Sequence, residues 1–138
     1  MDLSIIYASR TGHSRKIALE LASRFHTNAL DVKQNPKVER ADLLVAVGGI
    51  YAGKYDSRLL HFASSLSGNI KNAVTITSSA SGDPRDALAS LLTSKGVNVM
   101  DNLTCRGSFL YFMARSHPDT DDLNRLTDEL QEIINSLQ

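Results

Sequence analysis

The chain has 138 residues, 42% of them apolar, which suits one domain with a single core and is too many for a disordered chain. Lys and Arg total 15 and Asp and Glu total 15, so the formal net charge is zero and supports neither a nucleic-acid-binding surface nor a strongly acidic carrier surface. Cys105 is the single cysteine, which excludes an intrachain disulfide and a cysteine-rich metal site.

The opening MDLSIIYAS has an acid at position 2 and an apolar run too short for a signal peptide. No apolar run approaches the length of a membrane span, so a cytoplasmic monomer or dimer is expected. Leu3–Ala8 reads as a buried strand. After the polar segment SRTGHS, Ile17, Leu21 and Phe25 follow helical i, i+4 spacing, with Ala18 and Ala22 beside them. A weaker strand is expected at Asn28–Val32 and a weak helical turn at Val38–Ala41. Leu43–Val47 is the next strand, followed by GGIYAGKYDS. After Asp56, a helix carries Leu59, Leu60, Phe62, Ala63 and Leu66. Ala73–Thr77 is a strand that runs into SSASGDP. Leu88, Leu91 and Leu92 mark a helix ending before Gly96. Val97–Cys105 is the last strand, and Leu123, Leu126, Leu130, Ile133, Ile134 and Leu137 line the last helix. Five strands alternating with about five helices imply right-handed crossovers and a parallel sheet.

In such a sheet, ligands bind beyond the carboxyl ends of the strands. Three segments occupy those positions: SRTGHS, GGIYAGKYDS and SSASGDP. All are rich in Gly, Ser or other small residues, so backbone can approach a ligand closely. In the first, a helix beginning near Gly12 or His13 points backbone N–H groups and the positive end of its dipole at the loop. Ser9, Thr11 and Ser14 can add hydroxyl donors, and Gly12 permits a tight turn. The sum suits an anion, best a phosphate; ordinary Ser or Thr capping of a helix is the alternative.

GGIYAGKY, from Gly48 to Tyr55, matches G-x-x-x-x-G-K, the first part of a nucleotide P-loop. Tyr55 then stands where Ser or Thr must bind magnesium, and no clear helix starts at Lys54, so this reading is set aside. Tyr51 and Tyr55 are the aromatics of these loops, and Tyr51 has the better position to stack on a ligand. His13, His26, His61 and His117 show no metal-ligand spacing. Asp119–Asp122 reads as an acidic first helical turn rather than a calcium site. Cys105 reads as a small buried residue. The apolar run Phe109–Met113 covers the core, the sheet edge, a ligand or a partner.

The loop Ser9-Arg10-Thr11-Gly12-His13-Ser14 resembles the Ser/Thr-x-Thr-Gly-x-Thr phosphate loop of the flavodoxin family. ADLLVAVGGIYAGKYDSRLLHFASSL is similar to that family's third strand, flavin loop and third helix. CRG at Cys105–Gly107 and HPDTDDL at His117–Leu123 resemble its last strand and final helix entry. The likeness runs over nearly the whole chain and leaves no room for the insertion that splits the last strand of long-chain members. It implies a three-layer α/β sandwich with a five-stranded parallel sheet in order 2-1-3-4-5. It also implies non-covalent FMN, with the phosphate on Ser9, Arg10, Thr11, Gly12, His13 and Ser14. Ile50, Tyr51, Ala52 and Gly53 on one side, and Ser78, Ser79, Ala80 and Gly82 on the other, would flank the isoalloxazine ring. The chain departs from the family in having His13 in place of the commoner Asn, no aromatic residue in the second flavin loop, and no acidic excess. The resemblance implies electron transfer to or from a redox partner protein. An FMN-dependent quinone or porphyrinogen oxidoreductase and a flavin-free binding module stay open. No catalytic acid, base or nucleophile is assigned, and no nicotinamide fingerprint G-x-G-x-x-G occurs.

Overall fold

The computed structural model describes residues 1–10, 12–51, 54–66, 68–77, 87–104 and 120–138. Among them the chain forms β1 (Leu3–Tyr7), α1 (His13–Arg24), β2 (Ala29–Asp31), a 3-10 turn (Val32–Gln34), β3 (Arg40–Gly48), β4 (Ile50–Tyr51) and β5 (Lys54–Tyr55). These are followed by α2 (Ser57–Ser64), β6 (Asn69–Thr77), α3 (Ala87–Ser94), β7 (Asn98–Thr104) and α4 (Thr120–Leu137). The five long strands pair in parallel as β2-β1-β3-β6-β7. β4 and β5 form a separate antiparallel hairpin. With that hairpin set aside, the order is the expected 2-1-3-4-5.

Strand alternation divides the core. Ile5, Tyr7, Leu43, Val45, Val47, Val74 and Ile76 face α1 and α4, where Ile17, Leu21, Leu126 and Leu130 are fully buried. Ile6, Leu44, Ala46 and Ala73 face the other way, against Leu59 and Phe62 of α2 and Leu88 and Leu92 of α3. Two helices on each side of the sheet bury both of its faces, so the strands read as near-continuous apolar runs. The fold is therefore an α/β sandwich of three layers.

One local expectation changes. The helical turn expected at Val38–Ala41 lies instead at Val32–Gln34, where the Asp31 carboxylate accepts the Lys33 N–H at 2.9 Å and caps it. Asn35, at φ 49°, ends that turn. Val38 and Ala41 owe their spacing to a different cause: Val38 enters the second core and Ala41 pairs with Ile70 in the sheet. Among the described residues there are thus four α-helices and one 3-10 turn, and the turn is the element that moved.

Candidate anion site at the switch point

β1 and β3 are neighbours, yet they lead to opposite faces of the sheet. β1 runs into α1 on one face, and β3 runs through the β4–β5 hairpin into α2 on the other. Loops that part in this way open a crevice above the strand ends. The pairs Tyr7↔Val47 and Gly48↔Thr77 bring the ends of β1, β3 and β6 level, so three candidate segments leave from one edge.

The first loop is tied down at both ends. The Ala8 N–H donates to the Val47 carbonyl at 3.0 Å, and the Gly12 N–H donates to Ser9 Oγ at 2.9 Å. Gly12 caps α1 at φ 94°, a left-handed conformation that side chains with a Cβ resist. Its carbonyl accepts the Lys16 N–H at 3.0 Å and starts the helix. No acid stands in the first turn of α1. No carboxylate of α1's own first turn therefore opposes the dipole at this end. The Ser9 hydroxyl uses a lone pair on Gly12, which leaves its O–H as a donor. Ser14 is 1% exposed, and His13, the first helical residue, is half-buried.

The second loop brings in two residues that were not among the sequence candidates. Asp56 is completely buried and caps α2, accepting the Arg58 N–H at 3.0 Å. The Arg58 guanidinium returns to the same carboxylate as a fork, with Nε to Oδ1 at 3.0 Å and Nη2 to Oδ2 at 2.7 Å. Arg58 Nη2 also donates to the Ser9 carbonyl at 3.1 Å, and Arg10 Nε lies 3.7 Å from Asp56 Oδ2. Arg58 thus clamps the first loop to the start of α2. Its hydrogen bonds to Asp56 hold that carboxyl below the usual carboxylate range, against the opposing effect of burial. Two guanidiniums thus meet one buried carboxylate beside the α1 N-terminus. Such a junction fits a phosphate dianion.

Gly48 lets α2 approach. A Cβ there would lie 2.5 Å from Leu59 Cδ2, so a larger residue would push the helix from the end of β3. The Asp56 N–H donates to the Gly49 carbonyl at 3.3 Å and closes the hairpin segment. Lys54 lies in a strand and α2 begins only at Ser57, which is not the strand–loop–helix order of a P-loop. Tyr55 is 5% exposed and packs into the second core.

Of the candidates, Ser9, Arg10, Gly12, His13 and Ser14 come together at the β1–α1 junction. Ile50 is half-buried at the start of the hairpin, and the Tyr51 backbone continues it. Thr11, Ala52, Gly53, Ser78, Ser79, Ala80 and Gly82 lie outside the described residues, as do Cys105, Phe109–Met113, His117 and Asp119. The sequence signal for the clamp was Asp56-Ser57-Arg58 at a helix start, where the arginine can fold back onto the capping carboxylate. Among the described residues no cluster of His, Cys, Asp and Glu is placed to hold a metal ion, and no helix is long and apolar enough to cross a membrane.

A family model described as a flavodoxin domain matches residues 4–106. An uncharacterized protein of Methanocaldococcus jannaschii is 25% identical over an alignment of 150 residues, spanning 97% of this chain and 99% of that protein. Among solved structures, oxidised flavodoxin 1 from Bacillus cereus superposes with a TM-score of 0.75 at 18% identity, covering 100% of both chains. Rubredoxin oxygen:oxidoreductase from Desulfovibrio gigas superposes with a TM-score of 0.67 at 17% identity, over 98% of this chain and 35% of that one. At these identities the structural likeness establishes the fold.

Proposed function

This chain belongs to the flavodoxin-domain family, and from that premise we propose that it is a single-domain cytoplasmic protein that binds FMN and passes electrons to or from a redox partner protein. The observation that carries the reading is the β1–α1 junction: the left-handed Gly12 cap, the acid-free first turn of α1, and the Arg10 and Arg58 guanidiniums beside it. Ser9, Arg10, Thr11, Gly12, His13 and Ser14 would hold the phosphate. The hairpin residues Ile50, Tyr51, Ala52 and Gly53, with Ser78, Ser79, Ala80 and Gly82, would flank the ring. Bound FMN would supply the redox chemistry, while the chain anchors it and sets its electrostatic surroundings.

Binding of added FMN, followed by quenching of its fluorescence, tests the cofactor. Riboflavin, which lacks the phosphate, tests the anchor. Thr11→Val removes a hydroxyl donor to a dianion, a charge-assisted bond worth about 1.5–3 kcal/mol. FMN affinity should fall about ten- to a hundredfold by the same argument, with riboflavin affinity nearly unchanged. Equal losses for both ligands would contradict the phosphate assignment, and no binding of either would remove the FMN reading. Rapid oxidation of NAD(P)H with a quinone acceptor by the FMN-loaded protein alone would favour an oxidoreductase over a carrier.

A further inference from the structure

Three of the four crossovers in the sheet are made by helices: β1 reaches β2 through α1, β3 reaches β6 through α2, and β6 reaches β7 through α3. β2 reaches β3 through the 3-10 turn and residues 35–39, which are neither helix nor strand. α2 therefore packs against α3 on one flank and against this thin segment on the other. A groove of about 1010 Å³ is left between the segment and α2.

The groove has an apolar floor and a basic rim. Val32, Val38 and Phe62 are buried, and Pro36 and Leu66 are half-buried beside them. Lys33 and Lys37 rise from the crossover side, with Arg58 and His61 on the α2 side. Glu39 is the one carboxylate among the groove's described lining residues. Asp56 balances Arg58, whereas neither lysine has an ion pair among the described residues. The lysines therefore set the sign of the groove. Its size is that of a small-molecule site, and the basic rim over an apolar floor is complementary to an anion with a flat apolar body.

We infer that this groove is a second binding site, which adjoins the β1–α1 junction at Arg58, for an aromatic organic anion bearing a carboxylate or a phosphate monoester. The apolar body lies on Phe62, Val32 and Val38, and the anionic group meets Lys33 and Lys37. The inference does not depend on the flavin reading.

Backbone amide signals of the isotopically labelled full-length chain test it. The probes are naphthoate, naphthyl phosphate and the neutral naphthamide, each titrated at low ionic strength. The anions should shift the signals of residues 32–35, 37–39 and 57–66, and naphthamide should bind about tenfold more weakly. The exposed double variant Lys33→Gln/Lys37→Gln should weaken the anions about tenfold and leave naphthamide unchanged. Its unshifted spectrum elsewhere would show that the fold is intact. A response to one anion alone supports the site and identifies its headgroup. The inference is overturned by no shift in the groove, by shifts confined to Gly12–Ser14, by equal binding of naphthamide, or by an indifferent double variant.

Discussion

Replacing Asp56 by Asn separates the charge of the clamp from its shape. The amide oxygen can still accept the Arg58 N–H, so α2 keeps its cap. The other position becomes an NH₂ group facing Arg58 Nη2, where a carboxylate oxygen accepted at 2.7 Å. Losing one partner of a fully buried ion pair costs about 3–5 kcal/mol, and losing an exposed pair costs about 0–1 kcal/mol. Asp56 is buried, but the Arg58 side chain is 33% exposed and that of Arg10 is 54% exposed. Water can thus solvate both guanidiniums once the carboxylate is gone, and a loss of about 2 kcal/mol is expected. Urea unfolding measures it: at about 1–3 kcal/mol per molar of urea, the midpoint should fall by about 1 M. The pH dependence supplies a second readout. The Asp56 pKa is lowered in the folded state, so its contribution is fully present above the unfolded carboxyl's pKa of about 3.9 and is lost as pH falls through the lower folded value. The gap between parent and variant should be constant near neutral pH and should narrow below about pH 4. A neutral-pH midpoint within about 0.3 M of the parent, or a gap that does not narrow in acid, would refute the argument.

Two further substitutions probe the loops around the crevice. Gly12→Ala should cost about 1–2 kcal/mol through the left-handed φ alone, because nothing lies within 4 Å of the added Cβ. Gly12→Asn should cost less in the same thermal melts, and a neutral Ala variant would remove the conformational argument. Gly48→Ala should cost about 1–3 kcal/mol by overpacking against Leu59, and Leu59→Ala about 2–5 kcal/mol by leaving a cavity. In the double variant the losses should fall short of their sum, since each change relieves the other; strict additivity would show that the two positions do not press on one another.

Several elements were legible because they depend on local pattern. The spacing of Ile17, Leu21 and Phe25 specifies one apolar face of α1, and the continuous runs Leu3–Ala8 and Leu43–Val47 suit strands buried on both faces. Val38 and Ala41 were misleading because a spacing of three fits both a helical turn and two unrelated burials. The hairpin Ile50–Tyr51 with Lys54–Tyr55 was not foreseen: its strands are two residues each, too short to carry a period. At the site, Gly12 and its neighbours were legible because the strand–loop–helix order puts the helix N-terminus at the loop.

The sequence by itself determined the alternation of strands and helices, the layered sandwich, and the strand–loop–helix junction on which the anion proposal rests. Each of these follows from residues close together in the chain, through side-chain period, glycine conformation and helix polarity. Only the tertiary structure decided that Arg58 donates to the Ser9 carbonyl, 49 residues away, through the same guanidinium that neutralises buried Asp56. Only the tertiary structure, too, decided that a crossover without an α-helix leaves a basic groove along α2. These contacts join segments remote in sequence, and sheet order and helix packing bring them together, which local pattern does not encode.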